Sequence, residues 1–87
     1  MVQQTVEQQV LNVVTKHMRL NIEGLENANI DPTKSMRDLG ATSLDAVEIA
    51  SASMRELKVK VPRTKLGSVK NIQELVDLLA EVKIQQG

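Results

Sequence analysis

Apolar positions recur at three- and four-residue steps in three separate stretches of the chain, and the intervals between them carry turn residues. Val6, Val10, Val13, Val14 and Met18 share one helical face, with Gln3, Gln9, Asn12 and Lys16 on the opposite side. Thr5 and Gln8 read as a capping box that starts this first helix, expected over about 5–20. Leu44, Val47, Ala50, Met54 and Leu57 form a second stripe, expected to face inward from a helix over about 43–58. On that assignment Asp45, Glu48, Ala52, Arg55 and Glu56 lie outward, and Ile49 fits the inward face poorly. Ile72, Leu75, Val76, Leu79 and Val82 form the third stripe, capped by Asn71 and Glu74, over about 71–83, with Gln85, Gln86 and Gly87 as a frayed tail. Leu66 and Val69 mark a short helix over about 63–69, which Gly67 keeps from running long. Val59, Lys60 and Val61 alternate like a strand, but with Pro62 after them they read as a connector.

The stretch from about 21 to 42 has no such period. It contains Gly24, Pro32 and Gly40, with Asn29-Ile30-Asp31-Pro32 as a turn, and Ile22, Leu25, Ile30, Met36 and Leu39 as anchors over the helices. A loop this long in a compact domain is commonly functional. Three longer helices and one short one predict an all-α fold, a small four-helix bundle in a single domain spanning residues 1–87.

Composition narrows the chemistry. A chain of 87 residues buries roughly 60–65% of the surface it exposes unfolded, enough for one modest core. Without Phe, Tyr or Trp that core is aliphatic, and without Cys there is neither disulfide nor thiolate metal site. Eleven bases balance eleven acids, which gives no polybasic character of the kind that binds nucleic acid or membranes. No apolar run reaches transmembrane length and the N-terminus has no signal-peptide pattern, so a cytoplasmic protein is expected. His17 is the only histidine, and it has no second His or Cys with which to build a metal site or a nucleophile–base pair. It is expected to be a surface or boundary residue.

Leu39-Gly40-Ala41-Thr42-Ser43-Leu44-Asp45 carries the remaining signal. Thr42 and Asp45 form a capping box with Thr42 as N-cap, so Ser43 is the first helical residue. A phosphoryl group on its hydroxyl would sit beside unpaired N–H groups at the positive end of the helix dipole. A self-activated Ser nucleophile would also need a base and an oxyanion loop, which the chain does not offer.

Asp38-Leu39-Gly40-Ala41-Thr42-Ser43-Leu44-Asp45-Ala46-Val47-Glu48 resembles the "DLGxDSLDxVE" signature of acyl and peptidyl carrier proteins. The likeness runs ungapped from Ile30 to Leu79, through Val61-Pro62 and the element Asn71 to Val76. It implies a right-handed four-helix carrier fold, a 4′-phosphopantetheine arm placed on Ser43 by a phosphopantetheinyl transferase using coenzyme A, and acyl groups carried as thioesters. It implies a monomeric carrier with no catalysis of its own and no metal, serving acyltransferase, ketosynthase or hydroxymethylglutaryl-synthase-like enzymes. Docking contacts are expected from the end of the first loop, helix two and helix three, with Thr42, Leu44, Asp45, Val47, Glu48, Met54, Arg55 and Arg63 as candidates.

Two departures from the family pattern carry information. Thr42 replaces the usual Asp, which keeps the cap and loses a charge. The usual acidic face of helix two is replaced by Ala50-Ser51-Ala52-Ser53-Met54-Arg55. Between Ser43 and Lys60, Asp45, Glu48 and Glu56 are matched by Arg55, Lys58 and Lys60, so a neutral docking face is expected. The neutral residue before Ser43 resembles the free-standing donor carriers of polyketide β-branching cassettes, which deliver acetyl to a hydroxymethylglutaryl-synthase-like enzyme. A general polyketide or fatty-acid carrier accounts for the same residues, as does, outside the family, an unmodified helical interaction module. A hydrolase using Ser43 and His17, or a nucleic-acid-binding bundle, has less in its favour.

Overall fold

The structure, a computed structural model, describes residues 5–86. Four helices follow in order: α1 (Val6–Asn21), α2 (Ser43–Leu57), α3 (Arg63–Leu66) and α4 (Ile72–Gln86), with no strand among the described residues. α1 is the central element and packs against both α2 and α4. Its face of Val10, Val13, Val14 and Met18 is buried, as the spacing predicts, while Val6 is half-buried at the rim. Gln3 lies outside the described residues. Leu75, Val76, Leu79 and Val82 of α4 meet the same aliphatic core, to which Ile22, Leu25, Val59 and Val61 add from the connections.

Helix ends follow local chemistry. Thr5 Oγ1 accepts from Gln8 N–H (3.0 Å), which is the forward half of the box expected there. Asn71 Oδ1 accepts from Glu74 N–H (2.8 Å), and the Glu74 carboxylate reaches one residue further back, to Lys70 N–H (3.2 Å). α3 stops after Leu66, short of the expected 69, and Leu66 and Val69 are half-buried. α4 runs three residues beyond the expected 83, because its last turn is held from outside the helix. Gln86 Oε1 accepts from Lys60 N–H (3.3 Å) and its Nε2 donates to the Lys60 carbonyl (3.2 Å). The tail expected to fray is therefore helical through Gln86, and Gly87 lies outside the described residues.

The long connection is tied down at several points. Ile22 and Leu25 are buried, and Ile30, Met36 and Leu39 pack partly against the core. Asp31 Oδ1 accepts from the Thr33 N–H (2.9 Å) and hydroxyl (2.7 Å), and these bonds lower its carboxyl pKa. The carbonyls of Pro32 and Lys34 accept from the Gln73 (2.8 Å) and Ile72 (3.0 Å) N–H groups. Those donors open α4 and have no partner within the helix. The loop thus caps α4 with its own backbone, which holds the segment leading to α2.

The inward face of α2 differs from the one its apolar residues predict. Ile49 and Ser53 are fully buried, with Ala52 and Leu57 beside them. Leu44 is 82% exposed and Val47 54% exposed, while Ala50 and Met54 are half-buried. Of the expected stripe only Leu57 enters the core, and Ala52, expected outward, is inside. The face at Ile49, Ala52, Ser53 and Leu57 has the same helical period, but its small residues give it less hydrophobic weight.

Candidate functional site at the start of α2

Gly40 begins the approach to α2 with φ +104°, a conformation that residues with a Cβ rarely adopt. A Cβ there would meet the Ile22 side chain at 3.6 Å, so the positive φ, not crowding, is what requires glycine. Ala41 N–H donates to the Met36 carbonyl (3.0 Å), closing the turn that delivers the chain to the helix. Thr42 is the N-cap in extended conformation. Its Oγ1 accepts from Asp45 N–H (3.1 Å), and Asp45 Oδ2 accepts from Thr42 N–H (3.1 Å). Both bonds of the capping box are made, so a neutral Thr fills the position without loss of the cap.

Ser43 is the first residue of α2 and is exposed. Among the described residues neither its hydroxyl nor the N–H groups of Ser43 and Leu44 take part in a hydrogen bond. A hydroxyl open to solvent beside two unpaired backbone donors, at the positive end of a fifteen-residue helix, fits a phosphate ester. His17 lies elsewhere. Its Nε2 is 2.9 Å from Glu56 Oε1, and Lys16 Nζ donates to Glu56 Oε2 (2.6 Å), which together join α1 to α2. Lys16 and then His17 hold the Glu56 carboxyl below the usual glutamate range. The imidazole is thereby a packing and pairing group. Among the described residues there is no cluster of His, Cys, Asp and Glu able to hold a metal, and no helix is long and apolar enough to cross a membrane.

Beside Ser43 an apolar groove of about 780 Å³ runs between α2, α3 and the start of α4. Leu44, Val47, Ala50 and Met54 form its α2 wall, and Leu66 and Val69 face them from the α3 side. The family described as "Phosphopantetheine attachment site" matches residues 19–79. The chain belongs to that family. It is an acyl carrier protein, and its cofactor is covalently attached 4′-phosphopantetheine.

Among its relatives is the polyketide biosynthesis acyl-carrier-protein AcpK of Bacillus subtilis (strain 168), 32% identical over 79 residues, covering 91% of this chain and 95% of that protein. The acyl carrier protein of Cyanidioschyzon merolae (strain NIES-3377 / 10D) is 35% identical over 78 residues, covering 88% of this chain and 85% of that one. In the solved structures, a chain from the crystal structure of the curacin biosynthetic pathway HMG synthase in complex with acetyl donor-ACP superposes with a TM-score of 0.80. It is 37% identical, and the match covers 86% of this chain and 96% of that one.

The carrier's expected docking residues divide in the structure. Leu44, Val47, Met54 and Arg63 line the groove together. Arg55 lines a smaller neighbouring groove and pairs with Glu48 at 3.4 Å. Thr42 and Asp45 are occupied by the cap, and Glu48 lines neither groove. Arg37 and Lys70 line the main groove without having been expected there. They come from the first loop and from the turn before α4, regions whose spacing gives no helical face to assign them to.

Proposed function

We propose that the chain acts as one carrier domain whose phosphopantetheine arm is esterified to Ser43, and that it serves as the acetyl donor to a hydroxymethylglutaryl-synthase-like enzyme. A phosphopantetheinyl transferase forms the phosphodiester between the Ser43 oxygen and the arm of coenzyme A, releasing adenosine 3′,5′-bisphosphate. Acetyl then rides on the terminal thiol as a thioester. The protein works as a cytoplasmic monomer and contributes no catalytic group. Its tether raises the concentration of the acetyl group at the acceptor's active site.

The observation that carries the donor reading is the 37% identity and 0.80 TM-score to a chain of the HMG synthase–acetyl donor complex, over nearly the whole length of that chain. The neutral Thr42 before the serine and the likeness to a polyketide carrier support it. Loading the chain with acetyl-phosphopantetheine and adding the curacin-pathway HMG synthase tests it. Loss of the acetyl group to the synthase, followed by intact mass, is expected. A fully loaded carrier that keeps its acetyl in the presence of that enzyme, yet passes acyl groups to a ketosynthase, would assign it to general chain elongation.

A further inference from the structure

The chain's charge is balanced overall and unevenly placed. Residues 54–70 hold six bases, Arg55, Lys58, Lys60, Arg63, Lys65 and Lys70, against one acid, Glu56. The structure removes that acid from the picture, because both its oxygens are taken by Lys16 and His17 on α1. The groove beside Ser43 and the smaller one of about 520 Å³ adjoin along α2, sharing Ser51, Met54 and Val61 in their walls. Arg37, Arg55, Lys58, Lys60, Arg63 and Lys70 line the two grooves, all of them exposed, and no carboxylate lines either. Apart from Arg55, paired with Glu48, none of these bases lies within salt-bridge distance of a carboxylate among the described residues.

We infer that the two adjoining grooves form one docking surface for an enzyme face rich in carboxylates, with apolar contacts along the floor and charge attraction around the rim. This replaces the neutral face expected from residues 43–60, a count that left out Arg37, Arg63 and Lys70 and gave the face Glu56, which is exposed but has both oxygens bound by α1. It rests on the carrier reading, since the surface begins at the root of the arm. The surface runs the length of α2, from Leu44 beside Ser43 to Lys58 at the C-cap, so an enzyme that receives the arm can lie along all of it. Unpaired bases around a water-accessible trough steer an acidic partner from a distance and suppress docking by basic ones.

The test uses the holo-carrier and the curacin-pathway HMG synthase as the probe partner. One variant removes three positive charges from the surface (Lys58→Gln, Lys60→Gln, Arg63→Gln). A second makes the same change in net charge on exposed positions of α1 (Gln8→Glu, Gln9→Glu, Asn12→Glu). The first is expected to weaken binding about tenfold and the second less than about twofold, because rim charges act through local complementarity. Raising the salt from about 50 to about 500 mM is expected to weaken the natural chain several-fold and the first variant less, as screening shortens with ionic strength.

Equal effects of the two variants, unchanged or tighter binding by the first, or no binding of the natural chain would overturn the inference. So would binding to vesicles containing phosphatidylserine that the first variant loses while its enzyme affinity stays constant. Arm attachment by a transferase is measured on the same samples. A chain that takes the arm and ignores the charges breaks this inference alone, whereas one that never takes the arm breaks the carrier reading.

Discussion

Two apolar stripes run along α2, and they do different work. The inner stripe of Ile49, Ala52, Ser53 and Leu57 is buried against the rest of the bundle, and its small residues leave little side-chain bulk between α2 and the elements it packs on. The outer stripe of Leu44, Val47, Ala50 and Met54 is larger and more hydrophobic, yet it walls an open groove. Stability should therefore reside in the less hydrophobic face, and recognition in the more hydrophobic one. Exposed apolar side chains gathered in one place, here next to Ser43, mark an interaction surface more often than a misplaced core.

Ile49→Ala and Leu44→Ala should separate the two stripes by the widest margin. Ile49 is fully buried, so its truncation should cost about 2–5 kcal/mol. Leu44→Ala should change stability by no more than ~0.5 kcal/mol, because a side chain 82% exposed leaves no cavity behind. Urea unfolding of both variants reads the difference, and equal losses would mean that both stripes are core.

Ser53 sharpens the inner side. Its hydroxyl is buried with no hydrogen-bond partner. Ser53→Ala removes an unpaired polar group and should stabilise the protein by about 1 kcal/mol. A rise in thermal midpoint of roughly 4–8 °C would express that gain in a domain of this size. A loss of stability would show that the hydroxyl has a partner after all.

The smallest effect concerns the edge of α2 that faces α1. Glu56 has its pKa lowered by Lys16 and His17, so its ionised form favours the folded state. That contribution is present above the unfolded value near ~4.3 and is lost as pH falls through the lower folded one. Glu56→Gln should therefore melt slightly below the natural protein at neutral pH, and the gap should close as the pH falls through the lowered folded value. A gap that persists at pH 2 would place the effect in packing rather than charge.

The serine, its cap and the anchors of the long loop were legible in the sequence, since each rests on residues close together in the chain. Thr42 and Asp45 cap α2 because three-residue spacing suffices for both bonds. The faces of α2 were not legible, because hydrophobic periodicity weighs Leu44, Val47 and Met54 above Ala52 and Ser53 whichever side is buried. Contacts across long separations escaped for a different reason, since no local spacing records them. Gln86 reaches Lys60, 26 positions away, and that bond is what carries α4 past Lys83. Glu56 meets His17 over 39 positions, which turned an apparent docking charge into a brace between helices.

The proposed function depends on the open hydroxyl at the start of α2 bearing the arm. Incubating the chain with coenzyme A and a broad-specificity phosphopantetheinyl transferase, then mapping the adduct by peptide mass spectrometry, tests it most directly. One phosphopantetheine on Ser43, absent from Ser43→Ala, is the predicted result. An unmodified chain, or an adduct on another residue, would contradict it.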